Sequence, residues 1–229
     1  MRSTTAGFAF ILSGFTALTA AAAAPGLTVT IEGLEPGGKL PASTAYCAAP
    51  DADPATHDIS PAVSWSAGPK GTKSYALIMT DLDVPKDMSL MNKPGVTIPV
   101  TAERQPFIHW VLVDIPPKIT HLAKGAESPS FVQKGKPVGP TDHGLRGANV
   151  FSGFYPKDSP LAGPRGGFDG PCPPMNDAKV HRYVVQVYAL DIATLGLSGV
   201  FFGEEAEAKL KDHILATGDA TGTYGGPAG

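Results

Sequence analysis

The 229-residue chain carries a formal charge of −3 and no Lys/Arg cluster, which excludes nucleic-acid binding through a basic face. Its 27 glycines and 23 prolines exceed a fifth of the residues, so short strands and many loops are expected rather than long helices. The length accommodates a sizeable core, and no repeat or linker interrupts the chain, so one domain is expected.

The first residues read as a targeting segment. Arg2 opens it, Ala6 to Ala24 is an uncharged run, and Ala21-Ala22-Ala23-Ala24 offers small-residue cleavage sites before Pro25. Residues 1–23 are therefore read as a secretory signal and 24–229 as the domain, which predicts a periplasmic or secreted protein. An uncleaved anchor is the alternative, although the run is barely long enough to span a bilayer. Export places Cys47 and Cys172, the only cysteines, in an oxidising compartment, so one disulfide is expected.

Leu27 to Ile31 alternates like an edge strand, and the chain from Gly33 to Pro61 is largely turn and loop. Val63-Ser64-Trp65 is a short strand. Tyr75-Ala76-Leu77-Ile78-Met79-Thr80 reads as a buried strand that stops at a turn, Asp81-Leu82-Asp83-Val84-Pro85. Lys86 to Pro106 reads as an irregular loop. Phe107 to Ile115 is the next strand, and period-2 geometry puts Phe107, His109, Val111 and Val113 on one face. Pro116 to Pro174 is a Gly/Pro-rich passage of a length that usually serves function. The glycines of Gly166-Gly167-Phe168-Asp169-Gly170 are read there as letting backbone N–H groups approach a ligand. His181 to Leu190 is the strongest strand, with His181, Tyr183, Val185 and Val187 on one face and Arg182 on the other, in a salt bridge or backbone contact. Glu204 to Ala216 reads as a helix, with Ala206, Leu210 and Ile214 in a stripe and Gly218 as its stop. The glycine-rich tail to Gly229 carries no signal beyond flexibility.

Two carboxylates at a strand's end and two imidazoles in apolar rows suggest a small polar site set into a β core. His109 and His181 can donate N–H bonds to an oxyanion and Tyr183 an O–H. Asp81 and Asp83 are read as accepting from the histidines and fixing their tautomers. Two hydrolase readings stand beside this one. One is a His/Asp metal site, for which no compact ligand spacing occurs. The other is a Cys172 nucleophile with His181 as base, against which the expected disulfide stands. No Gly-x-Ser-x-Gly elbow and no P-loop is present, so neither an enzyme nor a cofactor is expected.

Asp81-Leu82-Asp83-Val84-Pro85, Ile108-His109-Trp110-Val111, and Gly170-Pro171-Cys172-Pro173-Pro174 with His181-Arg182-Tyr183 together resemble the phosphatidylethanolamine-binding protein family. The bacterial, Raf kinase inhibitor-like branch is the nearest match, and the resemblance runs from about residue 27 to 225. It implies a mostly β fold, an antiparallel β-sandwich with a short C-terminal helix and long Gly/Pro-rich loops. It also implies a ligand-binding pocket lined by Asp81, Asp83, His109, Pro173, His181 and Tyr183, with Gly170 nearby. The partners implied are a small anion (phosphate, a phospholipid headgroup or a nucleotide) and, in the inhibitor-like members, a protein target; a homodimer is a further expectation that the resemblance does not decide. The chain departs from the family in having Leu82 and Val84 where Pro and Ala are usual, and in longer passages at 86–106 and before Gly170. These departures bear on the rim of the pocket and leave its floor intact.

Overall fold

Strand-forming runs pair into two antiparallel sheets in the computed structural model, which describes residues 26–49 and 51–226. The segment read as a secretory signal lies outside the described residues. In chain order the strands are β1 Val29–Ile31, β2 Val63–Trp65, β3 Ser74–Pro85, β4 Arg104–Ile115, β5 His121–Leu122, β6 Gly139–Pro140, β7 Leu145–Arg146, β8 Val180–Leu190 and β9 Ile214–Gly225. Helix α1, Gly203–Leu210, precedes β9. The small sheet has the order β1-β2-β5 and the large one β6-β7-β4-β3-β8-β9.

The central strands are apolar on both faces, and each face has its own partner. Leu77, Met79, Trp110, Leu112, Val185 and Val187 pack against Ile31, Val63, Trp65 and Leu122 of the small sheet. On the opposite face Ile78, Val111, Val113 and Leu190 pack against Ala206 and Leu210 of α1 and against Phe201. The result is a sandwich with a helix on its outer side. Each large aliphatic or aromatic side chain fully buried in these layers stabilises the fold by about 1.5–3 kcal/mol.

Two irregularities correct the sequence expectation and shape the site. First, β3 does not stop at Asp81. It runs on to Pro85, with a register shift between Asp81 and Val84, because Val84 and Pro85 find partners in Gln105 and Arg104, upstream of the expected start of β4. Second, Met79 faces Trp110 but Thr80 faces Ile108, so β4 carries one extra residue at His109. This bulge takes His109 out of the Val111/Val113 row and turns it toward Tyr183, on the face of the sandwich core.

The C-terminal region also differs from expectation. The helix ends at Leu210, a 3-10 turn covers Lys211–His213, and Ile214 begins a twelve-residue strand along β8. The exposed i,i+4 pairs Glu205–Lys209 and Glu207–Lys211 are each worth only tenths of a kcal/mol, too little to hold Ile214 to Ala216 in a helix against a full ladder with β8. Gly218 is no helix stop: a side chain there would collide with the Leu27 carbonyl, whose residue pairs with Thr217 across the strand.

Candidate functional site

At the β3–β4 bulges the two acidic residues of Asp81-Leu82-Asp83 take separate roles. Asp83 NH donates to Asp81 Oδ1 at 2.8 Å, which fixes the turn of the chain between them. Asp81 accepts from His181, whereas Asp83 serves Arg182, the next residue of β8, on the opposite side of that strand. Arg182 reaches Asp83 through Nε at 2.8 Å, Nη2 at 2.9 Å and its own backbone NH at 3.0 Å. Burial would raise the Asp83 pKa, but the bonds and charge of Arg182, with Lys179 beside them, hold it at about 2. Asp83 thus accepts from no histidine and pins β8 to β3 beside the site.

His181 is fully buried between two carboxylates. Its Nδ1 lies 2.7 Å from Asp81 Oδ2 and its Nε2 3.1 Å from Asp177 Oδ2. Carboxylates only accept, so both ring nitrogens carry protons and the imidazole is cationic. Burial opposes that charge, yet the bonds and charges of Asp81 and Asp177 outweigh it and raise the pKa. Asp177 is held in turn by Arg104, at 2.5 Å and 3.1 Å. Asp81, His181, Asp177 and Arg104 therefore alternate in sign and compensate one another.

His109 is the opposite case. Its Nδ1 faces the carbonyls of Asp169 at 2.9 Å and Gly170 at 3.1 Å, so Nδ1 must carry the proton. Burial lowers its pKa despite the nearby Asp81 charge and the carbonyls, which leaves the ring neutral with a lone pair on Nε2. Tyr183 and Phe151 stand edge-on to the ring, each with its centroid 5.4 Å away.

The 169–170 strap that orients His109 is itself fixed by a buried ionic cluster. Asp169 accepts from Lys136 at 2.5 Å, Arg165 at 2.9 Å and Asn149 at 3.1 Å. Asp58 accepts from Lys136 at 2.7 Å and from the Gly170 NH at 2.8 Å. Burial pushes the Asp58 carboxyl up while Lys136 pulls it down. The Gly170 NH is thus committed to Asp58 and does not reach toward a ligand, contrary to the expectation from the glycine run. What the glycine permits is close approach: a Cβ at this position would collide with the Thr44 carbonyl.

These groups surround a cavity of about 180 Å³. Asp81, His109 and His181 form its polar end, Phe107, Phe151, Pro173 and Pro174 its walls, and Phe154, Tyr155 and Met91 lie around them. Cys47 and Cys172 are disulfide-bonded and also line it, so Cys172 has no free thiol. Of the residues expected together, Asp81, His109, Pro173 and His181 meet at the cavity. Tyr183 lies buried behind them, its pKa driven up by burial and by the Asp81 carboxylate beside its hydroxyl. Asp83 and Gly170 act from the side, through Arg182 and through the His109 carbonyl contact. Among the described residues, no group of three or more His, Cys, Asp or Glu side chains is arranged to hold a metal ion.

Sequence reasoning missed Asp177, Arg104, Phe151 and Tyr155. Only Asp177 carried a local signal, standing four residues before His181. The others reach the site from loops and strand ends whose positions no periodicity discloses.

The description "phosphatidylethanolamine-binding protein" belongs to a family model that matches residues 30–225. A UPF0098 protein of Aquifex aeolicus is 32% identical over 168 residues, covering 73% of this chain and 74% of that one. A UPF0098 protein of Chlamydia muridarum is also 32% identical, over 72% of this chain and 82% of its own. The crystal structure of Escherichia coli YbcL, described as a new member of the mammalian PEBP family, superposes with a TM-score of 0.61. That alignment covers 88% of this chain and 99% of YbcL at 24% identity, and it speaks to the fold alone.

Proposed function

Because this chain belongs to the phosphatidylethanolamine-binding protein family, we propose that it is an exported binding protein for small oxyanions, either phosphate or the phosphate of a lipid headgroup. The observation that carries the reading is the open Nε2 of His109, facing a small cavity in which the ionic groups around it are already satisfied by one another. At about 180 Å³ the cavity is smaller than the roughly 300–1,000 Å³ of pockets for drug-sized ligands, which favours a phosphate or headgroup over a whole nucleotide. Phe154 is 39% and Met175, beside Pro174, 90% exposed, and these apolar groups suit a phosphate that carries an organic substituent. Export is supported by the uncharged run behind Arg2 and by the pairing of the only two cysteines.

Calorimetric titration of inorganic phosphate and of glycerophosphoethanolamine into the mature chain tests this. With one proton shared between His109 Nε2 and the bound anion, His109→Ala removes a charge-assisted hydrogen bond of about 1.5–3 kcal/mol, so affinity should fall about ten- to a hundredfold with the melting curve as control. Equal affinity in the two proteins would place the site elsewhere. Binding lost on chelation and restored by zinc would replace the anion pocket with a metal site.

A further inference from the structure

The side chains at the polar end of the cavity hold more acceptors than donors. Both N–H groups of His181 are spent, on Asp81 at 2.7 Å and on Asp177 at 3.1 Å. The N–H of His109 is spent on the carbonyls of Asp169 and Gly170. Pro173 and Pro174 have no N–H to offer. Tyr155 directs its hydroxyl to Tyr46. Asn92, which lines the cavity away from its polar end, accepts from Met175 through its oxygen and keeps a neutral NH2 as its donor. What Asp81 and His109 offer the cavity is a carboxylate and an imidazole lone pair, and the Tyr183 hydroxyl, fully buried behind them, does not line it. A fully ionised oxyanion would meet repulsion there rather than hydrogen bonds.

We propose that the cavity binds its oxyanion together with one proton, held in the hydrogen bond between His109 Nε2 and the ligand. This rests on the oxyanion reading above and adds to it a ligand class. A monoprotonated phosphate group brings the proton with it and donates to the neutral ring. Sulfate, which stays fully ionised at any pH the protein tolerates, binds only when the ring takes a proton from solvent and becomes the donor. In both cases the proton count balances: one proton enters the site with one anion.

The groups facing His109 allow this. From β3, Asp81 supplies a negative charge that favours a protonated ring. From β8, the His181 charge is held between Asp81 and Asp177, and Tyr183 keeps its proton. From the strap, the Asp169 carboxylate is occupied by Lys136, Arg165 and Asn149, so it contributes its carbonyl alone. Phe151 adds no charge. Burial is what keeps the empty site neutral, and a bound anion offsets it.

The test is calorimetry of sulfate and of inorganic phosphate into the wild-type protein over about pH 5.5 to 8, where a histidine can titrate, in pairs of buffers with different ionisation enthalpies. Sulfate binding near pH 7 should take up close to one proton from buffer, and its affinity should fall by about tenfold per pH unit on the alkaline side. Phosphate should outcompete sulfate at neutral pH. In His109→Gln, sulfate uptake of protons should vanish and its affinity become flat with pH. Anion binding that is flat with pH and releases or takes no proton in the wild type would overturn the proposal while leaving the oxyanion site standing. No binding of either anion at any pH would remove the site as well. Proton uptake that survives in His109→Gln would assign the proton to another group and overturn the proposal. If that variant fails to fold, nitrogen NMR of wild-type His109 in saturating sulfate decides: Nε2 protonated supports the proposal, Nε2 unprotonated overturns it.

Discussion

Replacing His181 with alanine should cost stability rather than merely ligand. The variant strips the imidazolium from between Asp81 and Asp177, each of which loses a charge-assisted hydrogen bond. Asp177 retains the Arg104 clamp, but Asp81 keeps only the Asp83 amide and becomes a buried carboxylate without an adjacent cation. Breaking a buried, compensated pair in this way costs about 3–5 kcal/mol. For a domain of this size, with about 2–4 °C lost per kcal/mol, the melting temperature should fall by about 6–20 °C. Because the folded pKa of His181 is raised, its contribution is complete below the unfolded value near 6.5 and is lost as the pH rises through the raised folded value. Urea denaturation of wild type and His181→Ala across that range, with Asp81→Asn and the double variant to close the cycle, gives both the magnitude and the coupling. A loss below about 1 kcal/mol at pH 6, or no coupling to Asp81, would refute the idea of His181 as a compensated charge.

Three other perturbations follow from the same contacts. Denatured without reductant, the protein should show no free thiol, and Cys47→Ser should destabilise it by up to about 5 kcal/mol in the chain-entropy model for a separation of 125 residues; two titratable thiols would contradict the bridge. Gly170→Ala drives a Cβ into the Thr44 carbonyl and should lower stability by about 1–3 kcal/mol or more in thermal denaturation, whereas a neutral result would mean the strap has freedom to move. Lys136→Met leaves Asp58 and Asp169 without their shared cation, so its unfolding free energy should drop by about 3–5 kcal/mol, and an unchanged value would show the cluster to be dispensable.

Much of the architecture is legible in the sequence because the runs that build it are periodic. Val63 to Trp65, Tyr75 to Thr80 and His181 to Leu190 alternate or stay apolar as buried strands require, and Arg182 points away from His181 as period 2 demands. His109 shows where that logic fails. A single extra residue in β4 moves it to the other face, and nothing in Phe107 to Val113 marks the bulge. The C-terminal helix is overextended for a related reason. Ala206, Leu210 and Ile214 fit a helical stripe, but pairing with β8, a non-local contact, claims Ile214 onward. The pairing of acids with bases is the least legible feature. Asp81 and Asp83 look equivalent in sequence, and only the fold sends one to His181 and the other to Arg182. Lys136, Arg165 and Asp58 meet Asp169 from positions as far as 111 residues away, through loops without periodicity.

The two histidines are assigned opposite states, and nitrogen NMR of the imidazoles, recorded without and with inorganic phosphate, reads both at once. In the free protein near neutral pH, His181 should be protonated on both nitrogens, and His109 should be neutral with its proton on Nδ1. Phosphate should shift His109 Nε2 and leave the His181 resonances nearly in place. A phosphate response at His181 with His109 unmoved would contradict the assignment of His109 as the ligand-facing group.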